Sequence, residues 1–281
     1  MSKAYILYNP LAGDGKIKND LDAFAVVIDD DVIFADLTEA GILEKTAAAM
    51  DLDDYIILCG GDGTLNRFVN ATAHLNIKNE ILYYPCGVCN DFAREFQREY
   101  GSNPFAITQY LKDLPAVTVK GKTYHFINGV GFAIDGYCCQ EGDRLRHIPG
   151  KKVNDTRIAI QGLLSKYKPT GATVCVDGVK HSFDKVWITS TVYGKYYGGG
   201  MIPAPQQKRG DDHLSLMVFH DSNKLRTLMM FPSIFKGTIM KFNKYVSIYC
   251  GREITVTFDE PRPLQIDGEA IDNVLSYTAR R

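Results

Sequence analysis

The chain has 281 residues, 45% of them hydrophobic and 23% charged. That composition excludes a disordered chain, a collagen and a disulfide-dense miniprotein, and it supplies apolar material for about two cored domains. The net charge of -1 conceals a split: residues 1–120 hold 10 basic and 18 acidic side chains, a net of -8, and residues 121–281 hold 22 and 15, a net of +7.

In chain order, Ala4 to Tyr8 is a continuous apolar run and reads as a buried strand. The short apolar start has no cleavage site, so no signal peptide is expected. No apolar run approaches the ~20 residues of a membrane helix. The next loop, Asn9-Pro10-Leu11-Ala12-Gly13-Asp14-Gly15-Lys16, has glycines and a Lys but falls short of a Walker A pattern. Val32 to Ala35 is a second strand, Glu39 to Met50 a helical pattern and Tyr55 to Cys59 a third strand. Gly60-Gly61-Asp62-Gly63-Thr64 follows, and a helical pattern runs from Leu65 to Leu75. Glycines let a backbone turn sharply and approach a ligand closely. The amides at the next helix start then face an anion. Asp62 would repel a phosphate unless it held a metal or bonded a hydroxyl; the plainer reading is a tight turn with Asp62 as helix cap.

Ile81 to Tyr84 is a fourth strand. Its loop runs to Asn90 and Asp91, either of which can cap a helix bearing Arg94 and Arg98; Arg94 is placed for a charge-assisted phosphate contact, while taken alone the segment reads as plain capping with a solvated charged face. Strand-helix alternation predicts an α/β domain with a mainly parallel sheet over 1–120, its three loops at one sheet edge. Cys86-Gly-Val-Cys89 has no second CxxC, so it does not read as a zinc site. Seven cysteines, an odd number, read as reduced thiols in a cytoplasm.

After residue 120 the texture becomes β-rich. Thr173 to Asp177, Gly178 and Val179 to Phe183 read as a hairpin. Lys185 to Val192, Leu214 to Phe219, Val246 to Tyr249 and the alternating Ile254 to Phe258 are further strands. Helical patterns lie near Asp155 to Tyr167 and Lys224 to Phe235. An antiparallel, β-rich second domain is therefore predicted over 121–281. Its basic residues cluster at Lys151, Lys152, Arg157, Lys166 and Lys168, and at Lys236, Lys241 and Lys244. Leu228-Met229-Met230-Phe231 and Ile234-Phe235 lie near them. The segment from Leu228 to Phe235 reads as a core helix with a solvated face, and the domain as a whole as peripheral to an anionic membrane. No basic-aromatic module of a nucleic-acid binder is present, so no nucleic-acid partner is expected.

These motifs together resemble those of the diacylglycerol kinase family of lipid kinases, which includes bacterial soluble members and the sphingosine kinases. The resemblance covers nearly the whole chain. It rests on Asn9 to Lys16, Gly60 to Thr64 with Leu65-Asn66, and Pro85 to Arg94. In the second domain Asn128-Gly-Val-Gly-Phe132, Tyr197-Gly-Gly-Gly-Met201 and Asp267-Gly-Glu269 extend it. Gly-Gly-Asp-Gly alone is shared with NAD kinases and phosphofructokinases; the ordered set is specific to lipid kinases.

The resemblance implies an NAD kinase/diacylglycerol kinase-like fold and transfer of the ATP γ-phosphate to a lipid hydroxyl, diacylglycerol or a similar neutral lipid. Asn9, Lys16, Gly60, Gly61, Asp62, Gly63, Thr64, Asn66, Asp91 and Arg94 would bind the nucleotide. Mg²⁺ would be organised by Asp62, and Glu269 would be the general base. Asp211 and Asp212 fall where relatives carry an acidic pair that can bind a second Mg²⁺, although His213 replaces the usual Gly and a surface turn is the alternative. Arg67, Val88 and Cys89 depart from the family pattern, which leaves a non-catalytic nucleotide- or lipid-binding protein as a second reading. A kinase of a soluble substrate such as NAD is a third. A cytoplasmic, peripherally membrane-associated protein, with homodimerisation open, completes the expectation.

Overall fold

The computed structural model describes residues 2–10, 17, 21, 28–146, 158, 162 and 167–281. Lys16, the basic residues Lys151, Lys152, Arg157 and Lys166, and nearly all of the predicted helix near Asp155 to Tyr167 lie outside the described residues. The chain divides into two units, Met1–Leu114 and Pro115–Arg281.

The first unit runs β1 (Lys3–Tyr8), β2 (Asp31–Asp36), α1 (Ile42–Ala49), β3 (Tyr55–Gly60), α2 (Asp62–Thr72), β4 (Glu80–Pro85), α3 (Asp91–Glu95) and β5 (Phe105–Ala106). The sheet order is β2-β1-β3-β4-β5. Its first four strands are parallel and only β5 is antiparallel. Strands covered on both faces read as unbroken apolar runs, and Ile6, Leu7, Leu58 and Tyr83 are fully buried. Strand order reverses direction between β1 and β3, which makes their carboxyl ends the topological switch point where open α/β sheets bind ligands.

The second unit runs β6 (Ala116–Val119), β7 (Lys122–His125), β8 (Gly129–Ala133), α4 (Ile134–Arg146), β9 (Thr170–Val176), β10 (Val179–Val186), β11 (Ile188–Val192), β12 (Leu214–Phe219), α5 (Lys224–Met230), β13 (Val246–Gly251), β14 (Glu253–Ile266) and β15 (Glu269–Arg280). Every pairing is antiparallel. The sheet runs β13-β12-β11-β8-β14-β15-β6-β7, with the β9–β10 hairpin joined through β9 to β14. Phe132 packs on Phe258 and Tyr277 at ring separations of 4.7 and 5.6 Å in its core.

Two expected elements differ. The strand read over Lys185 to Val192 is broken, because Lys185 takes a φ of 50° and the β9–β10 register shifts between Phe183 and Val186, as at a bulge. The helix read over Lys224 to Phe235 stops at Met230 and tightens into a 3₁₀ turn over Phe231–Ile234. Pro232, which lacks an N–H, sits at the start of that turn.

Candidate active site

The register pairs Tyr8 with Cys59 and Cys59 with Tyr84. Asn9, Gly60 and Pro85 therefore leave the carboxyl edge of β1, β3 and β4 level with one another. The two glycine loops meet backbone to backbone. A Cβ on Gly61 would stand 2.8 Å from the Cys89 carbonyl and 3.0 Å from the Gly87 Cα. A Cβ on Gly87 would collide with the Gly61 Cα, and one on Gly60 with the Thr64 side chain. Glycine is thus required on both sides of the contact. Cys86 N–H donates to the Gly60 carbonyl at 3.0 Å. The Tyr83 hydroxyl donates to the same carbonyl at 3.0 Å. Burial, then the nearby Asp62 carboxylate, Cys86, Cys59 and Asp91 raise the Tyr83 phenol well above its ordinary value, so it remains a donor.

Asp62 is the first residue of α2 and is buried. Its two carboxylate oxygens accept the Asp91 N–H at 2.8 Å and the Phe92 N–H at 2.9 Å. Asp62 therefore caps α3, the following helix, from a different loop. Asn90, at the N-cap position itself, makes no side-chain capping bond. Asn90 closes its own turn, accepting from Gly87 N–H at 3.1 Å and donating to the Gly87 carbonyl at 2.8 Å.

The loops bring together Asp62, Asn66 and Asp91, all buried, with half-buried Asn9 and exposed Arg94 close by in sequence and register. Gly63 and Thr64 lie in the first turn of α2, where amides have no intrahelical partner. Arg67 and Val88 are exposed. The arrangement offers helix-start amides and one cation to phosphate oxygens, and two carboxylates alongside. Mg²⁺ commonly takes one or two carboxylates together with substrate phosphates. Asp62 fits that pattern, since each of its carboxylate oxygens keeps a second lone pair beyond the one hydrogen bond it accepts. No group of three or more His, Cys, Asp or Glu able to hold a metal occurs among the described residues.

In the second unit Asp267 and Gly268 form the β14–β15 turn, with φ of 46° and 95°, the positive pair that a type I′ turn requires. Glu269 follows, half-buried, opposite Ile266. Asp267 is buried, and its carboxylate accepts three backbone N–H groups, from Ile127 at 2.6 Å, Asn128 at 2.8 Å and Gly129 at 2.9 Å. Gln265 braces the same turn: its Oε1 accepts the Gly268 N–H at 2.7 Å and its Nε2 donates to buried Asp135 at 2.7 Å. Sequence reading missed Gln265 and Asp135. The visible signal was a Gln between apolar Leu264 and Ile266, since a polar side chain buried there needs partners.

Asp211 and Asp212 lie in the loop before β12. The Asp211 carboxylate accepts the Lys208 N–H at 2.9 Å. Asp212 is exposed and pairs with Arg252 at 2.5 Å. That bond, then His213, holds its carboxyl below the usual carboxylate range. Arg209 of this loop donates to the Ile127 carbonyl at 2.5 Å and to Asn128 Oδ1 at 2.9 Å, joining the loop to the peptides that Asp267 holds.

Residues 3–119 match the diacylglycerol kinase catalytic domain, and residues 129–278 match the YegS C-terminal NAD kinase beta sandwich-like domain. The chain belongs to the diacylglycerol kinase family of lipid kinases. This kinase is therefore a phosphotransferase with an alcohol acceptor. It is 25% identical over 261 residues to a diacylglycerol kinase of Mycobacterium tuberculosis, covering 87% of this chain and 82% of that one. It is 24% identical over 291 residues to a diacylglycerol kinase of Bacillus subtilis, covering 96% and 90%. A crystal structure of a diacylglycerol kinase from Bacillus anthracis shares the fold, with a TM-score of 0.60 and 19% identity over 100% of this chain and 94% of that one.

Proposed function

We propose that the kinase transfers the γ-phosphate of ATP to the hydroxyl of diacylglycerol or a similar neutral lipid. The observation that carries this reading is the meeting of the two glycine loops after β3 and β4, beside the switch point of the first sheet, with Asp62 tying them together. Asn9, Lys16, Gly60 to Thr64, Asn66, Asp91 and Arg94 bind the nucleotide. Phosphoryl transfer is mainly positioning and charge neutralisation. Amides of the α2 start and the Arg94 and Lys16 cations meet the phosphate charge. Asp62 would hold Mg²⁺, which would supply further neutralisation of phosphate charge when bound. Glu269 takes the proton of the attacking lipid hydroxyl, on a turn kept rigid by Asp267 and Gln265.

The kinase works in the cytoplasm, in peripheral contact with an anionic membrane. None of the seven cysteines forms a disulfide, which suits a reducing compartment. No helix among the described residues is long and apolar enough to cross a membrane. Incubation with labelled ATP and a panel of lipid alcohols tests the reading. Label should pass to a neutral lipid; transfer to NAD without lipid would overturn it.

A further inference from the structure

We propose that residues 224–244 of the second unit form a docking surface for an anionic phospholipid bilayer. This rests on the membrane contact proposed above and gives that contact a location. The segment contains Lys224, Arg226, Lys236, Lys241 and Lys244 and not one Asp or Glu. All five cations are exposed.

The apolar side chains are distributed unusually. α5 turns Thr227 and Met230 inward, and Phe231, Ile234 and Ile239 beyond it are also buried. That side anchors the segment, with the Ile202 N–H donating to the Ile234 carbonyl at 2.9 Å. The outer side is apolar as well. Leu225 and Met229 are 67% and 66% exposed, and four residues apart they are neighbours on one helical stripe. A helix apolar on both faces normally has both covered. Phe235, Met240 and Phe242 add three more exposed apolar side chains.

The segment is one folded piece. Ser233 Oγ donates to the Met230 carbonyl at 2.6 Å, and the Thr238 N–H to the Ser233 carbonyl at 3.0 Å. The Tyr245 N–H donates to the Phe242 carbonyl at 2.8 Å. Arg226 then closes the piece by donating to the Tyr245 hydroxyl at 2.8 Å.

Exposed apolar side chains interleaved with cations, and no carboxylate among them, match the boundary between headgroups and acyl chains. The apolar groups enter the boundary while the cations meet phosphates. A second copy of this chain fits poorly, because an isologous contact would set the same five cations against themselves.

The test is flotation of the full chain with vesicles of phosphatidylcholine plus phosphatidylglycerol, against phosphatidylcholine alone. The parent chain should bind only the anionic vesicles. Leu225→Ser with Met229→Ser, and separately Lys241→Ala with Lys244→Ala, should each weaken that binding by about tenfold or more. Melting temperature and ATP affinity should be unchanged. Variants that float like the parent overturn this surface while leaving the membrane reading intact. A parent chain that floats with neither vesicle overturns both. Loss of a concentration-dependent dimer in sedimentation, with vesicle binding kept, would show a self-association face and also overturn the proposal.

Discussion

Asp62 is the residue that ties the two glycine loops together. One carboxylate accepts two amides from another loop, so an amide side chain is a poor substitute: Asn can offer one oxygen but turns an N–H₂ toward an N–H. Asp62→Asn is expected to cost about 1–3 kcal/mol of stability, the usual penalty for a buried donor left unsatisfied, and to weaken ATP binding. Denaturant unfolding and nucleotide titration measure both; a variant within about 0.5 kcal/mol of the parent would contradict the role. The three residues of Asp267-Gly-Glu269 show how far a motif can be read. The resemblance singled out the set, but its division of labour was visible only in three dimensions. Asp267 collects three amides distant in sequence, which no local pattern encodes, while Glu269 carries the chemistry proposed for it.

Among elements, β1, β3 and β4 of the first unit were legible because burial on both faces leaves continuous apolar runs. The β9–β10 hairpin was legible from Asp177-Gly178, which adopts φ of 47° and 86°. The β6–β7 hairpin was not, since its turn has the same positive pair on Lys120-Gly121, and Lys carries no turn signal. The loop-to-loop contact of Gly61 and Gly87 was likewise invisible, because each glycine explains the other. Gly87→Ala should force the loops apart, destabilise the chain by about 1–3 kcal/mol and reduce ATP affinity. Unchanged affinity by calorimetry would contradict the contact's importance. Asp54 fastens the start of β1 to the turn before β3, accepting the Asp51 and Lys3 N–H groups at 2.8 Å each. The Asp51 amide, and next the Lys3 amide working against burial, hold its carboxyl below the ordinary 3.8. A depressed carboxyl stabilises the fold above its unfolded value, and that contribution is lost as pH falls through the folded value. Asp54→Asn should therefore flatten the acid limb of a stability-pH curve, and an identical limb in the variant would contradict this.

At the scale of the whole molecule, the charge split acquires a physical meaning. The -8 region contains the loops proposed to bind phosphate, so the affinity proposed there for an anion would come from short-range amides, Lys16, Arg94 and Mg²⁺ rather than from the net field. The +7 region contains the cationic surface proposed to meet a bilayer. Salt screens exposed charges beyond about 8–10 Å, so raising ionic strength should weaken binding to anionic vesicles, and salt-insensitive vesicle binding would contradict the electrostatic part of the account. The proposed reaction is measured most directly as transfer of label from ATP to diacylglycerol by the parent chain and by Glu269→Gln. The parent should show lipid-dependent transfer, and the variant a loss of about 100-fold or more with ATP binding retained. No transfer by a parent chain that still binds ATP, or near-parental turnover by Glu269→Gln, would contradict the proposal.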